Sequence, residues 1–124
     1  MEATDSPQPE EMRHWRTQEL VNTAWAMSRR FFLHYTLMDS ISRAAIPQIQ
    51  QYAARDLSNT VWSLSSLALK DEPLLHAISS ASIPKLSEGD AQVISNIAWS
   101  FATLRFKHVP LLPSISAAAI PRSS

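Results

Sequence analysis

Residues 54–88 read ARDLSNTVWSLSSLALKDEPLLHAISSASIPKLSE, and this stretch decides the fold. Leu57, Val61, Leu64 and Ala68 fall at i, i+4, i+7 and i+11, one face of a helix, and Thr60 and Leu67 widen the stripe. Trp62 lies well round that helix from Leu57, so the helix is apolar on more than one side, as a helix sandwiched between two neighbours must be. Asp71-Glu72-Pro73 then supplies an N-cap acid, a second acid in the first turn and an early proline, all helix-start signals. Leu74, Leu75, Ile78, Ala81 and Ser82 continue as a short amphipathic helix. Pro84 is expected to end or kink it, because proline lacks an N–H and disfavours helix at the residue before it. Ile83 and Leu86 flank that break and are expected to seal the turn. The stretch is a helix pair, helix A near 54–69 and helix B near 73–83.

Working outward, the same pattern returns on both sides at a step of 37 residues. Asn22/Trp25, Asn59/Trp62 and Asn96/Trp99 form three Asn-x-x-Trp motifs. Leu37, Leu74 and Leu111 share the step, as do Ile41, Ile78 and Ile115, and Ser42, Ser79 and Ser116. Ala44, Ala81 and Ala118 follow, then Ile46, Ile83 and Ile120, then Pro47, Pro84 and Pro121. A strict period of this length marks stacked repeats. The expectation is an all-α chain, a right-handed-type α-solenoid of three 37-residue helix-pair repeats. Helix A then falls near 17–32 and 91–106, and helix B near 36–46 and 110–120. The domain reading is an acidic, disordered tail at 1–16, repeat 1 at 17–53, repeat 2 at 54–90, and repeat 3 at 91–124 with an incomplete end. Neither flank looks like a polar cap, so the chain is expected either to belong to a longer array or to associate through its ends.

Composition agrees with helices. A single Gly among 124 residues leaves few tight hairpin turns, and the absence of Cys excludes disulfides and thiolate zinc sites. The apolar runs fall short of the roughly 20 residues needed to cross a bilayer. Eleven basic and eleven acidic residues cancel, so no strong electrostatic footprint for nucleic acid is present. The start, MEATDSPQPEEM, shows neither a signal-peptide apolar region nor an Arg-rich transit peptide.

The phrases Glu19-Leu-Val-Asn-Thr-Ala-Trp-Ala-Met, Asp56-Leu-Ser-Asn-Thr-Val-Trp-Ser-Leu-Ser-Ser-Leu and Ser95-Asn-Ile-Ala-Trp-Ser-Phe-Ala-Thr-Leu carry a resemblance. With Pro-Leu-Leu-x-x-Ile-x-x-Ala-x-Ile-Pro following, they resemble octotricopeptide repeats and the related leucine-rich helical repeats of FAST-kinase-domain proteins. The resemblance covers residues 17–121. It implies an α-solenoid that binds single-stranded RNA and acts in mitochondrial or chloroplast RNA processing and mRNA stability. Further repeats or a protein partner are also implied, and no membrane.

Arg55, Asn59, Ser66 and Lys70 make a polar line along helix A. Its equivalents are Gln18, Asn22, Arg29 and Leu33 in repeat 1, and Gln92, Asn96, Thr103 and Lys107 in repeat 3. Repeat proteins that read RNA use two or three side chains per base. Gln18/Arg29, Arg55/Ser66 and Gln92/Thr103 vary between copies and are the expected selectivity positions, with Lys70, Lys85, Lys107 and Arg122 near phosphates. A solvated helix face is the plainer alternative for each. Asn22, Asn59 and Asn96 do not vary, which suits a structural ladder of amides between repeats. Trp25, Trp62 and Trp99 are expected in the core for the same reason, each burying on the order of 150–250 Å². His34 and His108 share a loop position with Asp71, which indicates helix capping. His14 and His76 complete the histidines, and none has metal-ligand spacing. Without a phosphate loop or nucleophile motif, the chain is expected not to be an enzyme and to need no cofactor or metal. Three repeats engage about three bases, a gross ~3–9 kcal/mol of stacking before ordering costs. A peptide-binding scaffold is the rival function, and the neutral charge favours it.

Overall fold

A computed structural model describes residues 15–30, 34–106 and 111–119. Among them are six α-helices: α1 (Thr17–Arg29), α2 (Tyr35–Ala45), α3 (Ala54–Ser66), α4 (Glu72–Ser82), α5 (Ala91–Thr103) and α6 (Leu111–Ala119). Two 3-10 segments, Ile46–Gln51 and Ile83–Glu88, follow α2 and α4. The described chain is all-helical. None of these helices is long and apolar enough to cross a membrane.

Helix starts follow local chemistry. Asp71 Oδ1 accepts from the Leu74 N–H at 3.2 Å and His34 Nδ1 from the Leu37 N–H at 3.1 Å, so the expected caps form at both positions. His108 lies outside the described residues. At α1 and α3 an acid reaches backwards instead: Glu19 Oε1 accepts from the Arg16 N–H at 2.7 Å, and Asp56 Oδ2 from the Ala53 N–H at 3.1 Å. Thr17, Ala54 and Ala91 open α1, α3 and α5 at steps of 37 residues.

Helix ends differ from expectation. The apolar stripe of helix A predicts helix to residues 69 and 106, yet α3 stops at Ser66 and α5 at Thr103. Ala68 and Arg105 take left-handed backbone, with φ of 55° and 57°. The Ala68 N–H donates to the Ser65 carbonyl and the Leu69 N–H to the Leu64 carbonyl. Arg105 and Phe106 repeat this on Ala102 and Phe101. These are Schellman turns made without glycine. Leu69 and Phe106 thereby turn back onto the core, and Phe106 packs on Phe101 with ring centroids 5.6 Å apart.

Helix B ends where its proline is expected to end it, α2 at Ala45 and α4 at Ser82, each two residues before the proline. Pro47 and Pro84 each sit in the first turn of a 3-10 segment, where the missing N–H costs nothing. Ile49 and Leu86 point inward from these segments and are buried.

α1, α3 and α5 lie side by side, with α3 in the middle. The second layer alternates α2, the segment 46–51, α4, the segment 83–88 and α6. Leu20, Leu57, Leu64, Leu74, Leu75 and Ile78 are fully buried between the layers. Small hydroxyl residues let the helices approach closely. Ser63 Oγ donates to the Asn59 carbonyl at 2.8 Å and Ser82 Oγ to the Ile78 carbonyl at 2.6 Å, so these buried groups are satisfied within their own helices. Ser65 Oγ donates to the Trp62 carbonyl at 3.0 Å in the same way and also lies 3.4 Å from Ser100 Oγ, across from α3 to α5.

Candidate nucleic-acid interface

The outer face of the α1–α3–α5 row carries four positions per helix at i, i+4, i+7 and i+11. They are Gln18, Asn22, Trp25 and Arg29 on α1; Arg55, Asn59, Trp62 and Ser66 on α3; and Gln92, Asn96, Trp99 and Thr103 on α5. All twelve are exposed or half-buried, and none is acidic. Glu19 and Asp56, one position round the helix, hold their carboxylates on backbone N–H groups at the helix starts. The twelve positions therefore present amides, indoles, hydroxyls and guanidinium groups, with Glu88 and Asp90 beside Arg55 at the start of the row.

Within the face, Gln18 Nε2 donates to Asn22 Oδ1 at 2.9 Å and Gln92 Nε2 to Asn96 Oδ1 at 3.1 Å. These bonds run along one helix, four residues apart. The expected ladder of asparagines between repeats is not what Asn22 and Asn96 make, because each amide is turned toward its own helix's glutamine. Arg55 replaces the glutamine on α3, and Asn59 is half-buried there.

The tryptophans also depart from expectation. Trp25 and Trp62 are half-buried and Trp99 is 50% exposed, so they are not core residues. The reason lies in helix geometry. Trp25 sits seven residues from Gln18 and three from Asn22, which places it on the polar line rather than on the Leu20/Ala24 face. Trp62 and Trp99 touch across α3 and α5, ring centroids 4.8 Å apart and tilted by 33°. The Asn-x-x-Trp spacing itself carried this signal, since three residues along a helix share a side.

Long-range side-chain bonds to backbone come from elsewhere. Gln48 Nε2 donates to the Trp15 carbonyl at 2.6 Å and to the Ala44 carbonyl at 3.2 Å. Lys85, 37 residues on from Gln48, donates from Nζ to the Gln50 carbonyl at 2.7 Å and to the Tyr52 carbonyl. Lys85 is half-buried and bonded twice to backbone, which removes it from the set of residues poised for phosphate. The Tyr52 ring beneath it is 1% exposed. Burial, and secondarily the charge of Asp56, push its phenol well above the usual tyrosine range.

Gln18, Arg29, Arg55, Gln92 and Thr103 are exposed, and Ser66 is half-buried. Lys70 is exposed at the end of α3, and its Nζ donates to the Arg105 carbonyl at 3.3 Å. Lys107 and Arg122 lie outside the described residues, as do His14 and residues 1–14 of the expected tail. Among the described residues no group of three His, Asp or Glu side chains is placed to hold a metal ion.

Against this geometry stands one family match. Residues 12–121 match the family described as RNA-editing substrate-binding complex 6 protein. The chain belongs to that family. Membership in the RNA-editing substrate-binding complex 6 family spans every element from α1 to α6. No curated protein matches the chain.

Proposed function

We propose that this chain is a non-catalytic RNA-binding module, an α-solenoid of three 37-residue repeats serving mitochondrial RNA processing and mRNA stability. The family's name supports the RNA-processing role. The observation that carries the binding surface is the row of Gln, Asn, Trp and Arg side chains, none of its twelve positions acidic, running across α1, α3 and α5. Gln18/Arg29, Arg55/Ser66 and Gln92/Thr103 are the side chains that change from helix to helix, and they read the bases. Trp25, Trp62 and Trp99 offer ring surface beside them, which suits bases of any identity. Arg29, Arg55 and Lys70 neutralise phosphates. The octotricopeptide resemblance belongs to this reading as a shared plan, fixed scaffold positions with variable polar ones between.

Titration of the full chain with fluorescein-labelled single-stranded RNA tests the reading. Affinity is expected to fall steeply between 50 and 200 mM salt, since phosphate contacts release counterions. Trp99→Ala is expected to leave the fold intact and weaken binding by about 1–3 kcal/mol, the worth of one stacked base. No binding at 50 mM salt would end the RNA reading. The neutral net charge favours a protein partner in that event.

A further inference from the structure

Each outer flank of the helix row carries a groove. Beyond α5 lies a groove of about 550 Å³ lined by Ala98, Ala102, Phe106, Ile115 and Ser116 among others. Beyond α1 lies a shallower groove of about 460 Å³ lined by Thr23, Ala26, Met27 and Arg30. The residues one step of 37 earlier than the first set show what such a groove is for. Val61, Ser65, Ile78 and Ser79 correspond to Ala98, Ala102, Ile115 and Ser116. All four are buried, under α5 and α6, whereas Ala102 and Ser116 are exposed and Ala98 and Ile115 half-buried. The α1 groove tells the converse. Two steps of 37 on, Thr23 and Ala26 correspond to Ile97 and Ser100 of α5, which are buried where α5 packs on α3, Ser100 directly against Ser65.

We infer that the α5/α6 flank of one molecule receives the α1 flank of a second copy, joining chains head to tail in the geometry that already joins α3 to α5. One pair of positions favours a second copy over an unrelated partner. Inside the molecule the contact between neighbouring helices is Ser65 against Ser100, hydroxyl to hydroxyl. In the head-to-tail contact the same two positions are Ala102 and Ala26. Both partners change together, from a polar pair to an apolar pair, so neither side leaves a hydroxyl facing a methyl group. Trp25 of the second copy then extends the Trp62–Trp99 row by one ring. The interface is heterologous, so it does not use itself up in a dimer and continues into longer arrays. Arg30 and Arg105 border the two grooves and bring like charges to the junction, which keeps the association weak at low salt.

The inference goes beyond RNA binding and is tested without RNA. Sedimentation velocity of the full chain over a hundredfold range of concentration is expected to show a growing series of oligomers, promoted by salt. RNA binding has the opposite salt dependence, so the two readings fail separately. Ala102→Arg blocks one flank and Ala26→Arg the other; both sites are exposed, and circular dichroism verifies folding. Each variant alone is expected to be monomeric, and an equimolar mixture to form dimers and nothing larger, because one open flank of each kind remains. A wild-type chain that stays monomeric at the highest concentration overturns the inference. So does a single variant that still associates, or a mixture that recovers no dimer.

Discussion

Ile78 and Ile115 hold the same place in α4 and α6, and their surroundings differ. Ile78 is fully buried, with α3 and both 3-10 segments around α4; Ile115 is half-buried beside an open groove. Ser65 and Ala102 repeat the contrast on the helices opposite, one buried and one exposed. The same local pattern therefore has two energetic values, set by whether a neighbour is present.

The largest expected effect tests that contrast directly. Ile78→Ala should cost roughly 2–5 kcal/mol, the range for a buried aliphatic truncation, and Ile115→Ala less than half as much. Urea titration of both variants measures the difference, and equal losses would mean the α5/α6 flank is as well packed as the middle. A second variant acts on a join instead of a core. Lys85→Ala removes both bonds to the Gln50 and Tyr52 carbonyls and should cost about 1–2 kcal/mol, given partial exposure. Lys85→Gln should recover much of that, since Gln48 already does the equivalent work one step earlier.

The same join has a pH signature. The Tyr52 phenol is raised in the folded chain, so its contribution is complete below the unfolded value of about 10 and is lost as pH rises beyond it. Stability should decline above that point by up to about 1.4 kcal/mol per pH unit, and Tyr52→Phe should flatten the decline. Trp15 and Gly89, the equivalent positions, cannot titrate there. The smallest effect is a gain. Ala68→Gly relieves a left-handed residue and should raise stability by up to about 1 kcal/mol in thermal unfolding, with Arg105→Gly showing a similar gain at the outer helix.

Much of this architecture is legible in residues 54–88 and their two echoes. The apolar stripe and the Asp71 cap locate the helix starts because those signals are local. The helix ends are not legible, since a Schellman turn normally advertises itself by glycine and Ala68 and Arg105 carry none. The long-range ties are not legible for a different reason: asparagine is identical between copies, while the side chains that bond to distant carbonyls, Gln48, Lys70 and Lys85, differ in chemistry and share only their reach. For the tryptophans, constancy between copies does not mean burial, since helical spacing puts them beside Gln18, Arg55 and Gln92. For the candidate face, the indoles beside the variable polar positions become visible only in the structure.

Gln48 and Lys85 reach back to carbonyls at Trp15 and Tyr52, each 33 residues earlier. A bond of that span is a ruler. It forms only when the intervening chain has one length, because a single inserted residue would rotate helix B by about 100° and carry the donor away from its carbonyl. Loops in most domains absorb insertions and deletions freely. Here the tether from Lys85 to Tyr52 sets a cost on changes of chain length within the helices between them, in keeping with the unbroken 37-residue spacing of the sequence.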